Sequence, residues 1–388
     1  MIHRKEVQLD APRFSWLSSF LPVLLFLIAA GLTIWFLVRL FSQSEIESRM
    51  GHKNPFGIFI SLTAGSGDKD LKYFGILAVY PETRRLGIVS LFPETIMREG
   101  EKTIAERVTS SSPDEVIKEM EKLLSLDIPY RISGNGEHII RLTDLVQGIP
   151  FFLYGPDLLP GEAFPTGEFV MDGSIVLPWL FPTHQTESSP AVQLFRHYSY
   201  GLNLWQHRAE KWKLLNNKEV MSLMLSGTDG NLQTRDLLSL GNAFVSQDWI
   251  PLFLEVPVKR SGNSFITDHD SFALFWKNFE EQLTAPENPF LEIPPKMEVK
   301  NGTMVAGLAR TMRQKIYREG IEVLEFANAD HNNYKYTVLL DTNAHSYYLN
   351  TIGKMLGIKR LYHTVNRSLF TDSVLILGEN YQTIGTTE

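Results

Sequence analysis

The chain has 388 residues, 44% of them hydrophobic and 21% charged, enough apolar material for a substantial core spread over two or more domains. It contains no cysteine, which excludes disulfides, thiolate metal sites and a cysteine nucleophile. Its net charge of −7, with no basic block or stripe, argues against nucleic acid as a partner.

The first element is a run from Phe14 to Val38 that carries no charge and is bracketed by Arg13 and Arg39. At about 1.5 Å rise per residue, a helix of that length crosses a hydrocarbon core of roughly 30 Å. A signal peptide has a shorter apolar core and a small-x-small cleavage site, and Phe41 to Glu45 supply no such site. The pattern predicts a cytoplasmic tail over 1–13, a single transmembrane anchor over 14–41 with a kink near Pro22, and a polar stalk over 42–54. Arg4, Lys5 and Arg13 on one flank nearly balance Arg39, Arg49 and Lys53 on the other. A short basic tail before a first apolar segment belongs on the cytoplasmic side. The expectation is therefore a single-pass protein of the cytoplasmic membrane, held in the lipid bilayer through Phe14–Val38 with its bulk outside.

The next span, 55–283, reads as an α/β domain. Phe56–Leu62, Tyr73–Val79 and Leu86–Phe92 are strand patterns, the last two joined as a hairpin across Tyr80–Arg84. Ser112-Pro113-Asp114-Glu115 opens a helix, with Val116, Ile117, Met120, Leu123 and Leu124 on one face. Strand signals at Ile128–Ser133 and Ile149–Tyr154 flank a short helix at Ile139–Val146. Helical stretches follow at about Val192–Glu210 and Lys218–Met224. Strands alternating with helices predict an α/β domain rather than a bundle or sandwich.

Thr284–Pro295 hold four prolines and predict a linker over 284–296. Beyond it, 297–381 reads as a small β-α-β-β-α-β domain, followed by a tail over 382–388. Its helices are expected at Thr303–Glu319 and Asn343–Leu356, with Gly320 and Gly357 placed where a helix C-terminus favours positive φ.

That last unit resembles the LytR C-terminal domain of bacterial envelope proteins. The carrying residues are Val299-Lys-Asn-Gly-Thr-Met-Val-Ala-Gly-Leu-Ala309, Gly320-Ile-Glu-Val323, Tyr336-Thr-Val-Leu-Leu340, Gly357 and Leu375-Ile-Leu-Gly-Glu-Asn-Tyr381. Asn301-Gly302-Thr303 is also a glycosylation sequon, which a turn explains equally well. With that cue, residues 55 to about 245 resemble a divergent LytR–CpsA–Psr domain. Leu77–Ser90 is similar to the family's hairpin before its S-I-P-R-D-T stretch. Met171-Asp-Gly173 stands at its L-D-G, and Phe195-Arg196-His197 near its R-x-x-R-Q.

The resemblance implies a mixed central sheet, and an enzyme that moves a glycan from a polyprenyl-pyrophosphate carrier onto peptidoglycan outside the membrane. A diphosphate needs guanidinium forks and a carboxylate-held Mg²⁺. Here the chain departs from the family. The first family Asp falls at Lys72, with Asp68 and Asp70 nearby; the Arg and Asp of S-I-P-R-D-T fall at Pro93 and Glu94. The R-F-R falls at Phe181-Pro182-Thr183 and the first Arg of R-x-x-R at Gln193, leaving Arg196. Glu94 and Arg196 are thus the candidate catalytic residues, Arg98 and Asp70 the candidate ligand-binding residues, and Arg84 and Arg85 further candidate replacements. At about 1.5–3 kcal/mol per charge-assisted hydrogen bond, four absent guanidinium groups amount to roughly 6–12 kcal/mol, enough to abolish useful catalysis unless replaced.

Two readings follow. One is a non-catalytic envelope protein that holds lipid-linked glycan, peptidoglycan or a protein partner; the shortfall of charge favours it. The other is an active phosphotransferase with relocated arginines, Mg²⁺ and a glutamate in place of aspartate. Other chemistry is thin. No GxSxG elbow, Walker A, HExxH or Rossmann glycine pattern occurs. Asp268-His269-Asp270 reads as a polar loop before a metal site, Asp330–Asn333 as a turn, and Trp205, Trp212 and Trp249 as core before sugar platforms.

Overall fold

The computed structural model of the chain describes residues 44–63, 65, 71–97, 102–110, 113–154, 164–181, 189–262, 264–267, 269–285, 295–366 and 369–384. The predicted anchor, Asp68, Asp70, Arg98 and most of the proline-rich linker lie outside these. Among the described residues no helix is long and apolar enough to cross a membrane.

The elements in order are α1 (Glu45–Gly51), β1 (Phe56–Thr63), β2 (Leu71–Tyr80), β3 (Arg85–Leu91), β4 (Thr95–Ile96), α2 (Ile104–Ser110), α3 (Pro113–Leu124), β5 (Tyr130–Asn135), α4 (Gly136–Leu145), β6 (Ile149–Leu153) and β7 (Gly167–Met171). Then come α5 (Gly173–Leu180), α6 (Ser189–Gln206), α7 (Arg208–Leu215), α8 (Lys218–Leu225), β8 (Asp229–Gly230), α9 (Thr234–Ser246), β9 (Ile250–Glu255), β10 (Val258–Ser261), β11 (Ser264–Thr267) and α10 (His269–Thr284). The last unit holds β12 (Lys296–Asn301), α11 (Leu308–Arg318), β13 (Glu322–Asn328), β14 (Val338–Asp341), α12 (Ser346–Leu356), β15 (Leu361–His363) and β16 (Ser373–Leu377).

A six-stranded mixed sheet, ordered β8-β5-β1-β2-β3-β9, organises the first unit. Its central strands β1, β2 and β3 are apolar over most of their length because both faces are covered. The period of two sends Phe59, Phe74, Ile76, Ala78, Val89 and Leu91 to one face, where α2, α3 and α10 close the core with Ile104, Met120, Phe272 and Leu283. The intervening Ile58, Val79 and Leu86 face the other side, with Ile46 of α1, Leu240 of α9 and Trp249. Here α4, α6, α8 and α9 cross above the sheet. Sequence patterning predicts the central strands but not β9, α9 or α10; His269 and Asp270, expected in a loop, open α10.

The C-terminal sheet is ordered β13-β12-β16-β14-β15, with only β14 against β16 antiparallel. It therefore holds one strand more than β-α-β-β-α-β: β15, three residues long, is too short to carry a pattern. Both helices also start later than expected. The Asn301 side chain donates to Val305 O and accepts from Thr303 N and Oγ1, closing a turn ahead of α11. Asp341 Oδ1 accepts from Asn343 N and His345 N ahead of α12. Asn301 is buried in that network, so the sequon is a structural turn. A Cβ on Gly302 would lie 2.5 Å from Tyr334, which is why glycine stands there.

The two units meet along α6, β6 and β15. Asn203 Nδ2 donates to His363 O at 2.7 Å while its Oδ1 accepts from His363 N at 3.0 Å. Val365 N donates to Ser199 Oγ, and Thr364 Oγ1 donates to Phe152 O. Glu168 of β7 accepts from both Arg360 and Tyr362.

Candidate functional site

Between the six-stranded sheet and the helices above it lies a cavity of about 450 Å³. Ile60 and Leu62 of β1, Leu77 of β2, Ile88 of β3 and Ile132 of β5 form its floor. Leu142 of α4, Tyr198 and Trp205 of α6, Leu225 of α8 and Phe244 of α9 form its roof. Among the described residues no Lys, Arg, Asp or Glu lines it. The opening over α6 arises in part at Gly201, where a Cβ would meet nothing within 4 Å.

The few polar groups at its wall are mostly held by the protein. Tyr73 Oη and Ser90 Oγ are 3.2 Å apart, and Thr143 Oγ1 and Tyr200 Oη 2.9 Å. Burial pushes the Tyr73 hydroxyl up, and the Tyr200 hydroxyl up to about 12. The His138 ring lies 2.7 Å from Asn135 Oδ1 and 3.1 Å from Ser226 O. His197 differs. Its ring stands between Tyr73 and Phe181, with centroids at 5.1 and 5.2 Å, and its Nε2 is enclosed with no hydrogen-bond partner among the described residues. Burial, reinforced by the Arg196 charge, lowers its pKa to about 4, so the imidazole is neutral at pH 7.

Of the candidate residues from the sequence, Asp68, Asp70 and Arg98 lie outside the described residues, and Arg196, Glu94, Arg84 and Arg85 do not line the cavity. Arg196, one position before His197, is turned away from the cavity. It is buried, its Nη1 donates to Trp179 O at 2.9 Å, and its guanidinium lies 5.4 Å from the Trp179 ring. It closes the C-terminus of α5, whose last carbonyls need donors. Glu94 is exposed on the turn before β4, and its carbonyl accepts from Phe265 N. Arg85 donates to Gln282 O at the end of α10, and Arg84 is exposed in the hairpin turn with φ of 56°. Both sit at the opposite end of β3 from Glu94. Asp172 of the D-G pair accepts from Ser174 Oγ, and from Ser174 N and Ile175 N as the N-cap of α5, and those bonds, the Ser174 hydroxyl foremost, hold its carboxyl below the ordinary carboxylate range. Glycine stands at 173 because a Cβ there would lie 2.6 Å from the Asp144 carboxylate, whose Oδ1 accepts the Gly173 N–H at 2.9 Å.

Among the described residues no group of three or more His, Cys, Asp or Glu could hold a metal ion. Asp68 and Asp70, which stand near the family's first aspartate in the sequence, lie outside the described residues. Asp330–Asn333 is a turn, with Asp330 accepting from Tyr334 Oη at 2.8 Å. Trp249 is buried, its Nε1 donating to Ala243 O, whereas Trp205 lines the cavity.

Residues 295–381 match the family described as LytR cell envelope-related transcriptional attenuator, in agreement with the resemblance of the last unit to a LytR C-terminal domain. No curated protein matches the chain. Similar solved structures include TagV of B. subtilis, 14% identical, covering 60% of this chain and 98% of that one at a TM-score of 0.48. A transcriptional regulator from Enterococcus faecalis is 14% identical, with coverages of 60% and 89% and a TM-score of 0.47. TagT, a LytR-CPS2A-psr family protein solved with bound octaprenyl pyrophosphate lipid, is 11% identical, with coverages of 60% and 91% and a TM-score of 0.45.

Proposed function

We propose that this protein is a membrane-anchored cell-envelope protein of LytR–CpsA–Psr type that holds the hydrocarbon chain of a lipid-linked glycan without transferring the glycan. The observation that carries the reading is the cavity itself: a space of about 450 Å³ whose lining, among the described residues, is mainly apolar and aromatic with no charged side chain. An apolar cavity of about 150 Å³ takes one benzene, so this one admits on the order of 15–20 carbons, several isoprene units. The LytR C-terminal domain supports an envelope setting. The charge-free run at 14–38 supports an anchor that would present the cavity to lipid at the membrane surface.

The absence of transfer is argued from electrostatics. A departing diphosphate needs fixed positive charge where negative charge develops. The one arginine kept from the family pattern is spent on a backbone carbonyl and an indole ring. The carboxylate candidate Glu94 is exposed and does not line the cavity.

The test is binding of a fluorescent polyprenyl pyrophosphate to the full chain and to Gly201→Leu, which grows a side chain into the opening over α6. Wild type should bind, and Gly201→Leu should bind at least about tenfold more weakly. The same change should raise helix stability by about 0.5–1 kcal/mol, because glycine is a poor interior helix residue. Equal lipid affinity of the two proteins would refute the cavity assignment.

A further inference from the structure

β13 is the edge of the C-terminal sheet and pairs only with β12 among the described strands. Ala329 N donates to Asn301 O, so the alternation of a parallel ladder turns the N–H and C=O of Asn328 and Phe326 outward. An edge of this kind is a template for another strand unless something blocks it.

The face beside that edge is positively charged. On α11, Leu308, Ala309, Met312 and Ile316 are buried, while Arg310, Arg313, Gln314, Tyr317 and Arg318 are exposed. Their spacing puts the exposed group on one stripe without an acid, and Tyr317 is 71% exposed. Arg310 and Arg313 lie 5.8 and 5.4 Å from the Phe326 ring, so the stripe leans over the edge strand itself. Among the described residues neither arginine forms an ion pair. Glu322 and Glu325 are exposed on the opposite face of the strand, where their partners in β12 are Lys296 and Glu298.

This arrangement selects against a second copy of the chain. Pairing β13 with β13 about a two-fold axis would bring Arg310 and Arg313 of one copy beside those of the other, and Glu325 beside Glu325. Like charges facing each other across strands are destabilising. A strand with acidic side chains on the α11 side meets no such penalty.

We infer that β13 receives an extended acidic segment of another protein as a sixth strand, its backbone paired with Phe326 and Asn328 and its carboxylates with Arg310 and Arg313. Main-chain bonds would supply affinity and the alternating acids would set register. The interface stands apart from the cavity and does not depend on the lipid reading.

The test uses a labelled peptide, Thr-Glu-Thr-Glu-Thr-Glu-Thr-Glu, and fluorescence anisotropy with the full chain. Wild type should bind it. Arg310→Glu with Arg313→Glu should weaken binding at least about tenfold, and the Lys-for-Glu peptide should restore binding to that variant. Asn328→Pro, which removes one outward N–H and leaves the β12 ladder intact, should also weaken it at least about tenfold, with circular dichroism reporting the fold. No binding by wild type, or binding unchanged by a folded Asn328→Pro, would overturn strand addition; the latter would leave surface attraction only. Dimers formed by wild type and dispersed by Asn328→Pro would overturn the choice of occupant.

Discussion

At the scale of single residues, the chemistry turns on two neighbours pointing different ways. Arg196 faces α5 and fixes it; His197 faces the cavity and stays neutral. The His197 imidazole has a pKa lowered to about 4, below the ordinary 6.5, so the unfolded chain takes up the proton first as pH falls. Its contribution is fully present above pH 6.5 and lost on descending through pH 4. At about 1.4 kcal/mol per pKa unit, this amounts to about 3 kcal/mol. Urea unfolding across pH 7 to 4 should show that fall, and His197→Phe should flatten it. An unchanged slope in His197→Phe would show that the imidazole is not enclosed. Arg196 is legible in the sequence as a motif remnant, but its direction is not. An R-H pair on a helix reads the same whether the arginine faces a ligand or a carbonyl.

At the scale of elements, α6 does two jobs: its Tyr198, Gly201 and Trp205 roof the cavity, and Ser199 and Asn203 bind the C-terminal domain. Asn203 satisfies both backbone groups of the wholly buried His363. Asn203→Ala leaves that N–H and C=O without their partner, at a cost of about 3 kcal/mol. The expected result is faster hydrogen exchange at the His363 amide and separate unfolding of the two units; a single transition at the wild-type midpoint would contradict it. Sequence reading finds α3 and the central strands because Ser112-Pro113 and period-two alternation are local signals. It misses α9 and α10, where aromatic and polar residues mix, and β15, which exists only because Leu361–His363 lie against β14. The cavity is illegible for a related reason. Ile60, Leu77 and Ile88 have the pattern of core residues, and nothing in that pattern says that the helices above them stand off.

At the scale of the whole molecule, the chain joins a charge-free run expected to be an anchor, a sheet domain whose cavity has no charged side chain among the described residues, and a C-terminal unit that matches the LytR C-terminal family. The family resemblance was legible because the glycines and turns that carry it, such as Asn301-Gly302-Thr303, are required by close backbone approach. On the proposed reading, transfer of a glycan turns on charge rather than fold, and the decisive charges are few. The most direct measurement is a transfer assay that supplies polyprenyl-pyrophosphate-linked glycan and peptidoglycan, with Mg²⁺, to the full chain and to Arg196→Ala. The account predicts that both proteins leave the glycan on its lipid, with Arg196→Ala differing only in a lower unfolding midpoint. Glycan appearing on peptidoglycan with the wild type, and absent with Arg196→Ala, would contradict it.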